Sequence, residues 1–267
     1  MRSPRSSSFA AALAPIAACA VLSASCVGTT GGDVFDFPAA AAGPPDAVAG
    51  APFELTNDRG WRVVLTRATL HVGAVYLDES QPVSGAQNTS CVLPGTYVAQ
   101  VTGGIDVDLL SPDPQPFTTP GHGTTLPALV GQVWLTGGRV DQADDRTPIL
   151  TLAGAADRAG DVRPFTATIT IGANRRAGGS ALAGANPICK QRIVSPIPAG
   201  VTLGEGGSLL LRADPRGLFV NVDFAALAPS SSGYAFSDDS SDQPSANLYQ
   251  NLRAAGGVYT FSWIGPR

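Results

Sequence analysis

Glycine and proline recur along the whole chain, and this is the feature that most limits what it can fold into. The 267 residues include 31 glycines and 22 prolines, about a fifth of the chain, without clustering into a repetitive tract. Both residue types interrupt helices and end strands. Their spacing predicts short strands joined by turns.

Between these interruptions, several segments alternate apolar and polar residues with a period of two. Phe165–Ile171 reads Phe-Thr-Ala-Thr-Ile-Thr-Ile, which indicates a strand with one buried and one wet face, and Ile149–Gly154 is predicted to pair with it. Phe53–Leu55 and Trp61–Leu65 are predicted to form a hairpin around the turn residues Asn57–Gly60. The fold is predicted to be all-β, an antiparallel β-sandwich of roughly eight to twelve strands.

The parity of the apolar positions changes inside one of these segments. Trp61, Val63 and Leu65 are apolar residues at odd-numbered positions, whereas the apolar residues Ala68 and Val72 are at even-numbered positions. His71 is then predicted to face the side opposite to Ala68 and Val72. Such a change predicts a β-bulge or a strand that crosses between sheets. Gly73 is the predicted position of the bend.

The C-terminal third is predicted to contain two more strand units and one short helix. Ser208–Arg212 and Leu218–Val222 flank turn residues and are predicted to form a hairpin. Ser245 is predicted to cap a helix over 246–255, and Val258–Trp263 is predicted to be the last strand.

The first 25 residues have the order of a secretion signal. Arg2 and Arg5 precede an apolar run from Phe9 to Leu22, about 14 residues long, and a membrane-spanning helix needs roughly 20. Small residues then lead to Cys26.

The segment Leu22–Cys26, Leu-Ser-Ala-Ser-Cys, resembles the lipobox of bacterial lipoproteins, whose cysteine is acylated and becomes the new N-terminus. Ser23 departs from the commonest pattern, which has an aliphatic residue there. Cys19 is a competing candidate that leaves a shorter apolar region. The resemblance implies acyl chains such as palmitate on Cys26, which anchor the protein in a membrane. Secretion after cleavage near Ala24, or retention of the segment as an anchor, are the alternatives.

The chain is predicted to divide into a signal, a tether and one domain. Residues 1–25 form the signal peptide, 26–50 a flexible tether after the lipidated cysteine, and 51–267 a single β-sandwich domain. Within the tether, Val34–Phe37 can instead dock as an edge strand. Val27 after the cysteine resembles lipoproteins sorted to the outer membrane, which implies a domain exposed to the periplasm or the cell surface.

Cys91 and Cys189 are the pair of cysteines left in the mature chain. In an oxidising envelope an isolated pair predicts a disulfide. Closing a loop of about 100 residues contributes roughly 4 to 5 kcal/mol by the chain-entropy estimate. The alternative is that the two cysteines bind a metal ion.

The charge of the chain limits its partners. A formal net charge of −4, with 14% charged residues, gives no broad basic field, so nucleic acid is excluded as a partner. The expected partners are the membrane, through the lipid anchor, and an envelope protein or polysaccharide.

The inventory of reactive side chains predicts that the chain is not an enzyme. His71 and His122 are its two histidines and Lys190 its one lysine, and no G-x-S-x-G, S-x-x-K or H-E-x-x-H motif occurs. Asp106 and Asp108 share one face of a predicted strand, which permits acid–base chemistry. The simpler interpretation is the solvent side of an amphipathic strand. A carbohydrate-active or carbohydrate-binding domain is one alternative function.

A metal carrier is another alternative. His71 and His122 are candidate copper or zinc ligands, although two imidazoles need further ligands. Leu70–Leu77 and Val220–Asp223 resemble the early strand and the late strand with a following aspartate of the methanobactin-associated periplasmic copper-binding family. This resemblance implies copper, and it carries no ligand residue over to this chain.

The remaining candidate binding sites are two aspartate-rich loops and three tryptophans. The aspartates that could bind calcium weakly are Asp141, Asp144 and Asp145 in one loop and Asp238, Asp239 and Asp242 in another. Trp61, Trp134 and Trp263 either form a platform for sugars or fill the core, and the core is the expected place. The expectation for cofactors is none.

Overall fold

The structure is a computed structural model that describes residues 33–80, 95–136, 146–171, 191–231 and 233–266. The predicted signal peptide and three predicted modification sites lie outside these residues: Cys26, Cys91 and Cys189.

The described residues form an all-β, sandwich-like fold, as predicted, with one α-helix near the C-terminus. The first nine strands are β1 (Val34–Phe37), β2 (Ala39–Ala42), β3 (Phe53–Thr56), β4 (Arg62–Val72), β5 (Ala74–Asp78), β6 (Tyr97–Val101), β7 (Ile105–Asp108), β8 (Gln115–Pro116) and β9 (Gly121–Thr124). The others are β10 (Pro127–Trp134), β11 (Pro148–Arg158), β12 (Asp161–Thr170), β13 (Ile193–Thr202), β14 (Ser208–Ala213), β15 (Ala228–Ser230), β16 (Gly233–Ala235) and β17 (Tyr259–Ile264). These seventeen strands exceed the predicted number, because many are only two to five residues long.

The strands are arranged in three sheets. A six-stranded sheet has the order β1-β9-β6-β5-β10-β13 and is antiparallel throughout. A seven-stranded sheet has the order β15-β16-β12-β11-β4-β3, and β7 also pairs with β4. A four-stranded sheet has the order β17-β14-β2-β8. Parallel pairs occur between β2 and β14 and between β12 and β16. The predicted hairpin β3–β4 and the predicted pair β11–β12 are confirmed.

One hydrophobic core joins the three sheets. Leu77 of the six-stranded sheet, Leu70 of the seven-stranded sheet and Leu211 of the four-stranded sheet belong to the same buried cluster. Burying a leucine side chain stabilises a fold by roughly 1.5 to 3 kcal/mol. Each of the three sheets thus supplies one side of a shared core.

Strand β4 contains the predicted change of parity. Its pairing with β11 shifts between Leu65 and Arg67, so Thr66 is an extra residue, a β-bulge. Strand β4 ends at Val72, and β5 begins at Ala74 in the other large sheet. The bulge and the crossing at Gly73 are therefore both confirmed.

The first two strands of the described residues lie within the predicted tether. The tether prediction is wrong for residues 39–42, and at residues 34–37 the alternative of an edge strand holds. Val34–Phe37 is an edge strand beside β9, as the sequence allowed. Ala39–Ala42 is a buried strand between β14 and β8. A run of alanines has no alternation to reveal it, and it is buried because its small side chains fit against the parallel partner β14.

The predicted strand after β14 is corrected by the structure. The expected strand Leu218–Val222 is instead a 3-10 helix over Pro215–Phe219, followed by a turn. The helix forms because the side chain of Asp214 accepts the N–H of Arg216 at 2.9 Å and because proline is favoured at the first helical position. A second 3-10 helix covers Phe224–Ala226.

The helix α1 (Gln243–Leu252) begins three residues earlier than predicted. Asp242, not Ser245, caps it by accepting the N–H of Ser245 at 2.8 Å, and the buried Ser245 hydroxyl accepts the N–H of Ser237 instead. No helix in the described ranges is long and apolar enough to cross a membrane.

Candidate functional site

The wet side of the seven-stranded sheet carries a compact set of polar side chains, which we call the polar face. Its members come from β7, β4, β11 and β12: Arg67, Thr69, His71, Asp106, Asp108, Thr151 and Thr168. The same strands turn Leu70, Leu152 and Ala167 into the core. The polar face is thus the direct consequence of the two-residue alternation.

Four members of the polar face form one row across the sheet. Asp108 is opposite Thr69, Thr69 is opposite Thr151, and Thr151 is opposite Thr168. Side chains directly opposite each other in antiparallel strands are about 5 Å apart, so the row is about 15 Å long. It presents one carboxylate and three hydroxyls at fixed spacing.

The bulge adds a cation beside this row. Because Thr66 is the extra residue, Thr66 and Arg67 are consecutive and both exposed, whereas their neighbours Leu65 and Ala68 are both buried. A bulge of this kind re-aims a side chain at a chosen point of a sheet. Here it brings the guanidinium group to the same side as Thr69.

A groove lies at the bulge because two short strands share one edge of β4. Strand β3 pairs with β4 as far as Leu65, and β7 pairs with it from Thr69 onward, which leaves a gap between them. The cavity there has a volume of about 420 Å³, within the range of small-ligand sites. The residues that line it are Gly50, Ala51, Pro52, Thr66, Arg67, Thr69, Asp108 and Leu110.

Asp108 is held rigidly at one wall of the groove. Its Oδ1 accepts the N–H of Leu110 at 2.9 Å. Its own backbone is clamped by Gln115, whose Oε1 accepts the Asp108 N–H at 2.8 Å and whose Nε2 donates to the Asp108 carbonyl at 3.0 Å. The second carboxylate oxygen has no hydrogen-bond partner among the described residues.

Asp106 and Asp108 share the exposed face of β7, as predicted, but they serve different partners. Asp106 Oδ1 lies 2.6 Å from Nδ1 of His71, directly opposite it in the next row. Only Asp108 lines the groove. The two carboxylates are therefore not arranged on either side of one cavity.

The two histidines that were candidate copper or zinc ligands stand in different sheets. His71 is on β4 of the seven-stranded sheet, and His122 is on β9 of the six-stranded sheet, where its Nδ1 lies 2.8 Å from Asp36 Oδ1. Each ring is oriented by its own carboxylate. Within the described ranges, no group of three or more His, Cys, Asp or Glu side chains is placed to hold a metal ion.

The aspartates of the C-terminal loop have structural partners. Asp238 accepts the N–H and the hydroxyl of Thr170 at 2.6 and 2.7 Å. Asp239 accepts the N–H of Ser241 at 3.0 Å, and Asp242 caps the helix. The other predicted calcium cluster, Asp141 with Asp144 and Asp145, lies outside the described residues.

The tryptophans serve the interior, as expected, and form no exposed platform. Trp61 is fully buried, and its Nε1 donates to Asp223 at 2.9 Å. Trp134 is buried, and Trp263 is half-buried with its ring edge-on to Phe37.

A buried carboxyl group on the six-stranded sheet was missed by sequence reasoning. Asp78 is inaccessible to solvent, and its Oδ2 accepts the Nε2 N–H of Gln132 at 2.7 Å. The rings of Tyr76, Tyr97 and Trp134 pack close by. Burial raises the pKa of Asp78 to about 6. The sequence pattern that could have indicated this position is the two-residue period of the strand, which places Asp78 on the same side as Tyr76 and opposite the core residue Leu77.

Comparison of the chain with protein-family models, curated proteins and solved structures finds no match in any of the three. The functional assignment therefore depends on the site itself.

Proposed function

We propose that this chain is a lipid-anchored protein of the bacterial cell envelope whose β-sandwich is a non-catalytic module that binds an envelope polysaccharide. The proposal is carried by the row on the polar face, where Asp108 and the threonine hydroxyls stand at regular spacing. Carboxylates and hydroxyls exchange hydrogen bonds readily with sugar hydroxyls. Because the row lies on paired strands, it is preorganised, which lowers the entropic cost of binding.

Geometry favours binding over hydrolysis. A glycosidase needs two carboxyl groups on either side of one scissile bond, roughly 5 to 10 Å apart. Asp106 is engaged by His71 in the neighbouring row, and Asp108 alone lines the groove. Release of new reducing ends from a polysaccharide by the purified protein would contradict the non-catalytic assignment.

The lipid on Cys26 holds the domain close to the membrane in this proposal. Asp33 is the first described residue and lies seven positions after Cys26, so the link spans at most about 25 Å. Several acyl chains on one residue anchor durably, whereas a single chain binds reversibly. The ligands within reach are then envelope polysaccharides and envelope proteins.

Metabolic labelling tests the anchor. In cells grown with an alkyne analogue of palmitate, the wild-type protein is expected to carry the label and to sediment with membranes. Cys26→Ala is expected to lose both properties, and Cys19→Ala is the matched control that keeps them. Label on the Cys26→Ala protein would contradict the anchor and leave the binding module to be judged by itself.

Affinity electrophoresis tests the binding module. The wild-type protein is expected to be retarded in gels that contain galactan, polygalacturonate or solubilised peptidoglycan. Replacing Thr69 and Thr151 together by valine removes two hydroxyls from the middle of the row, and we expect an affinity about tenfold lower. Thr260→Val, at an exposed position of β17, is the control. Equal retardation of the wild type and the double variant would refute the role of the row.

The metal-carrier hypothesis makes a different prediction. A carrier retains about one equivalent of copper or zinc after purification, and His71→Ala or His122→Ala abolishes this. If the row binds polysaccharide without a metal, binding is expected to persist in the presence of a chelator.

A further inference from the structure

The side chain of Arg67 has no hydrogen-bond acceptor among the described residues, unlike several other arginines of the chain. Four arginines of the described chain pair with a carboxylate: Arg62 with Glu54, Arg158 with Asp223, Arg163 with Asp161, and Arg216 with Asp46 and Asp214. Arg212 donates to two backbone carbonyls. The guanidinium of Arg67 makes no hydrogen bond or ion pair with any residue that the structure describes.

Arg67 places its unpaired charge at the wall of the groove. It stands on a bulge at the wall of the 420 Å³ groove, and Asp108 lines the same groove without pairing with it. The Thr66 hydroxyl donates to the carbonyl of Ala153 at 3.3 Å, which leaves its oxygen as an acceptor. The groove therefore offers a planar cation together with a fixed carboxylate and two threonine hydroxyls.

We infer that this groove binds an acidic sugar residue, whose anionic group pairs with Arg67 while its hydroxyls bond to Asp108 and Thr69. A guanidinium group presents a rigid fork of donors that matches a carboxylate or a phosphate. A carboxylate such as Asp108 accepts from hydroxyls and repels a second anion, so a simple anion uses only part of the site. A uronic acid, with one anionic group among several hydroxyls, uses all of it. The inference rests on the proposed polysaccharide binding and adds the charge of the ligand.

Calorimetric titration of the full-length protein in detergent tests the inference. The ligands are trigalacturonate, its neutral counterpart galactotriose, and inorganic phosphate. Wild-type protein is expected to bind trigalacturonate about tenfold more tightly than galactotriose, because a hydrogen bond to a charged group is stronger than a neutral one. Phosphate alone is expected to bind more weakly than trigalacturonate.

Three variants separate the contributions. Arg67→Gln is expected to bind trigalacturonate about tenfold more weakly and galactotriose unchanged, and Arg67→Lys is expected to fall between. Arg62→Gln is the matched control, since Arg62 lies on the same strand but is paired with Glu54. Its affinity for trigalacturonate is expected to equal that of the wild type.

The outcomes separate this inference from the proposed function. Equal affinities for the acidic and the neutral trisaccharide, or a wild-type affinity in Arg67→Gln, would overturn the inference and leave polysaccharide binding intact. Binding of phosphate with no binding of trigalacturonate would overturn it in favour of a plain anion site. No binding of either trisaccharide, together with no retardation in the polysaccharide gels, would overturn both.

Discussion

The buried Asp78 predicts a specific dependence of stability on pH. Its carboxyl group is inaccessible, Oδ2 has Gln132 as its partner, and Oδ1 has none within the described part of the chain. Burial without full hydrogen bonding disfavours the charged form, which is why the pKa of Asp78 rises from 3.8 to about 6. The folded protein therefore holds this proton more tightly than the unfolded chain does.

The sign and the size of the effect follow from linkage. Well below the ordinary pKa of 3.8, the carboxyl is protonated in both states, so Asp78 has no ionisation cost there. As the pH rises through 4 to 6, the unfolded chain ionises first, and the free energy of unfolding falls until the pH exceeds the folded pKa. A shift of about 2 units corresponds to at most about 3 kcal/mol. Local relaxation and water entry reduce such penalties, so we expect about 2 kcal/mol.

Asp78→Asn isolates this contribution, because the amide oxygen can still accept from Gln132 and no charge forms. Urea unfolding followed by tryptophan fluorescence gives the free energy of unfolding at intervals from pH 4 to 8. The variant is expected to gain about 2 kcal/mol relative to wild type between pH 4 and pH 7, with no further gain above. Asp108→Asn, at an exposed carboxylate, is the control and is expected to gain less than about 0.5 kcal/mol. A difference between Asp78→Asn and wild type that stays constant across this range would refute the reasoning.

Three further predictions test the packing, the helix cap and the cysteines. Gly131→Ala is expected to destabilise the fold by about 1 to 3 kcal/mol, because the added Cβ would lie 2.0 Å from the ring of Phe261. Thermal unfolding measures this, and an unchanged Tm would contradict the close approach. Asp242→Ala removes the N-cap of α1 and is expected to cost about 1 kcal/mol in urea unfolding, with no loss if the cap is unimportant. Mass spectrometry of unreduced peptides is expected to find Cys91 linked to Cys189, and free thiols on the protein purified from cells would contradict the disulfide.

Local sequence patterns were sufficient where burial follows the two-residue period. The strand pair β11–β12, the hairpin β3–β4 and the bend at Gly73 could all be predicted, because alternation and glycine act within a few residues. The errors occurred where another local interaction prevails. Alanines at 39–42 carry no alternation, Asp214 and a proline favour a 3-10 helix over a strand, and Asp242 competes successfully with Ser245 for the helix start.

The candidate site could be predicted only in part. The shared face of Asp106 and Asp108 follows from the period of a strand, and so does the outward direction of His71. The separation of His71 from His122 does not, because it depends on which sheet receives each strand. The groove forms because β3 and β7, which are distant in sequence, both leave residues 66–68 of β4 unpaired on the same edge. No short-range sequence pattern predicts this.

The bulge in β4 explains why the groove and the core arise together. Leu65 is an odd-numbered position and Ala68 an even-numbered one, and a regular strand cannot turn both toward the same side. Both are buried in one core, so one residue between them has to be extra, and the pairing with β11 identifies Thr66. The same extra residue forces Arg67 outward beside Thr66. The exposed cation at the groove is thus fixed in place by the packing of the interior, and a change that removed the bulge would disturb the core as well as the groove.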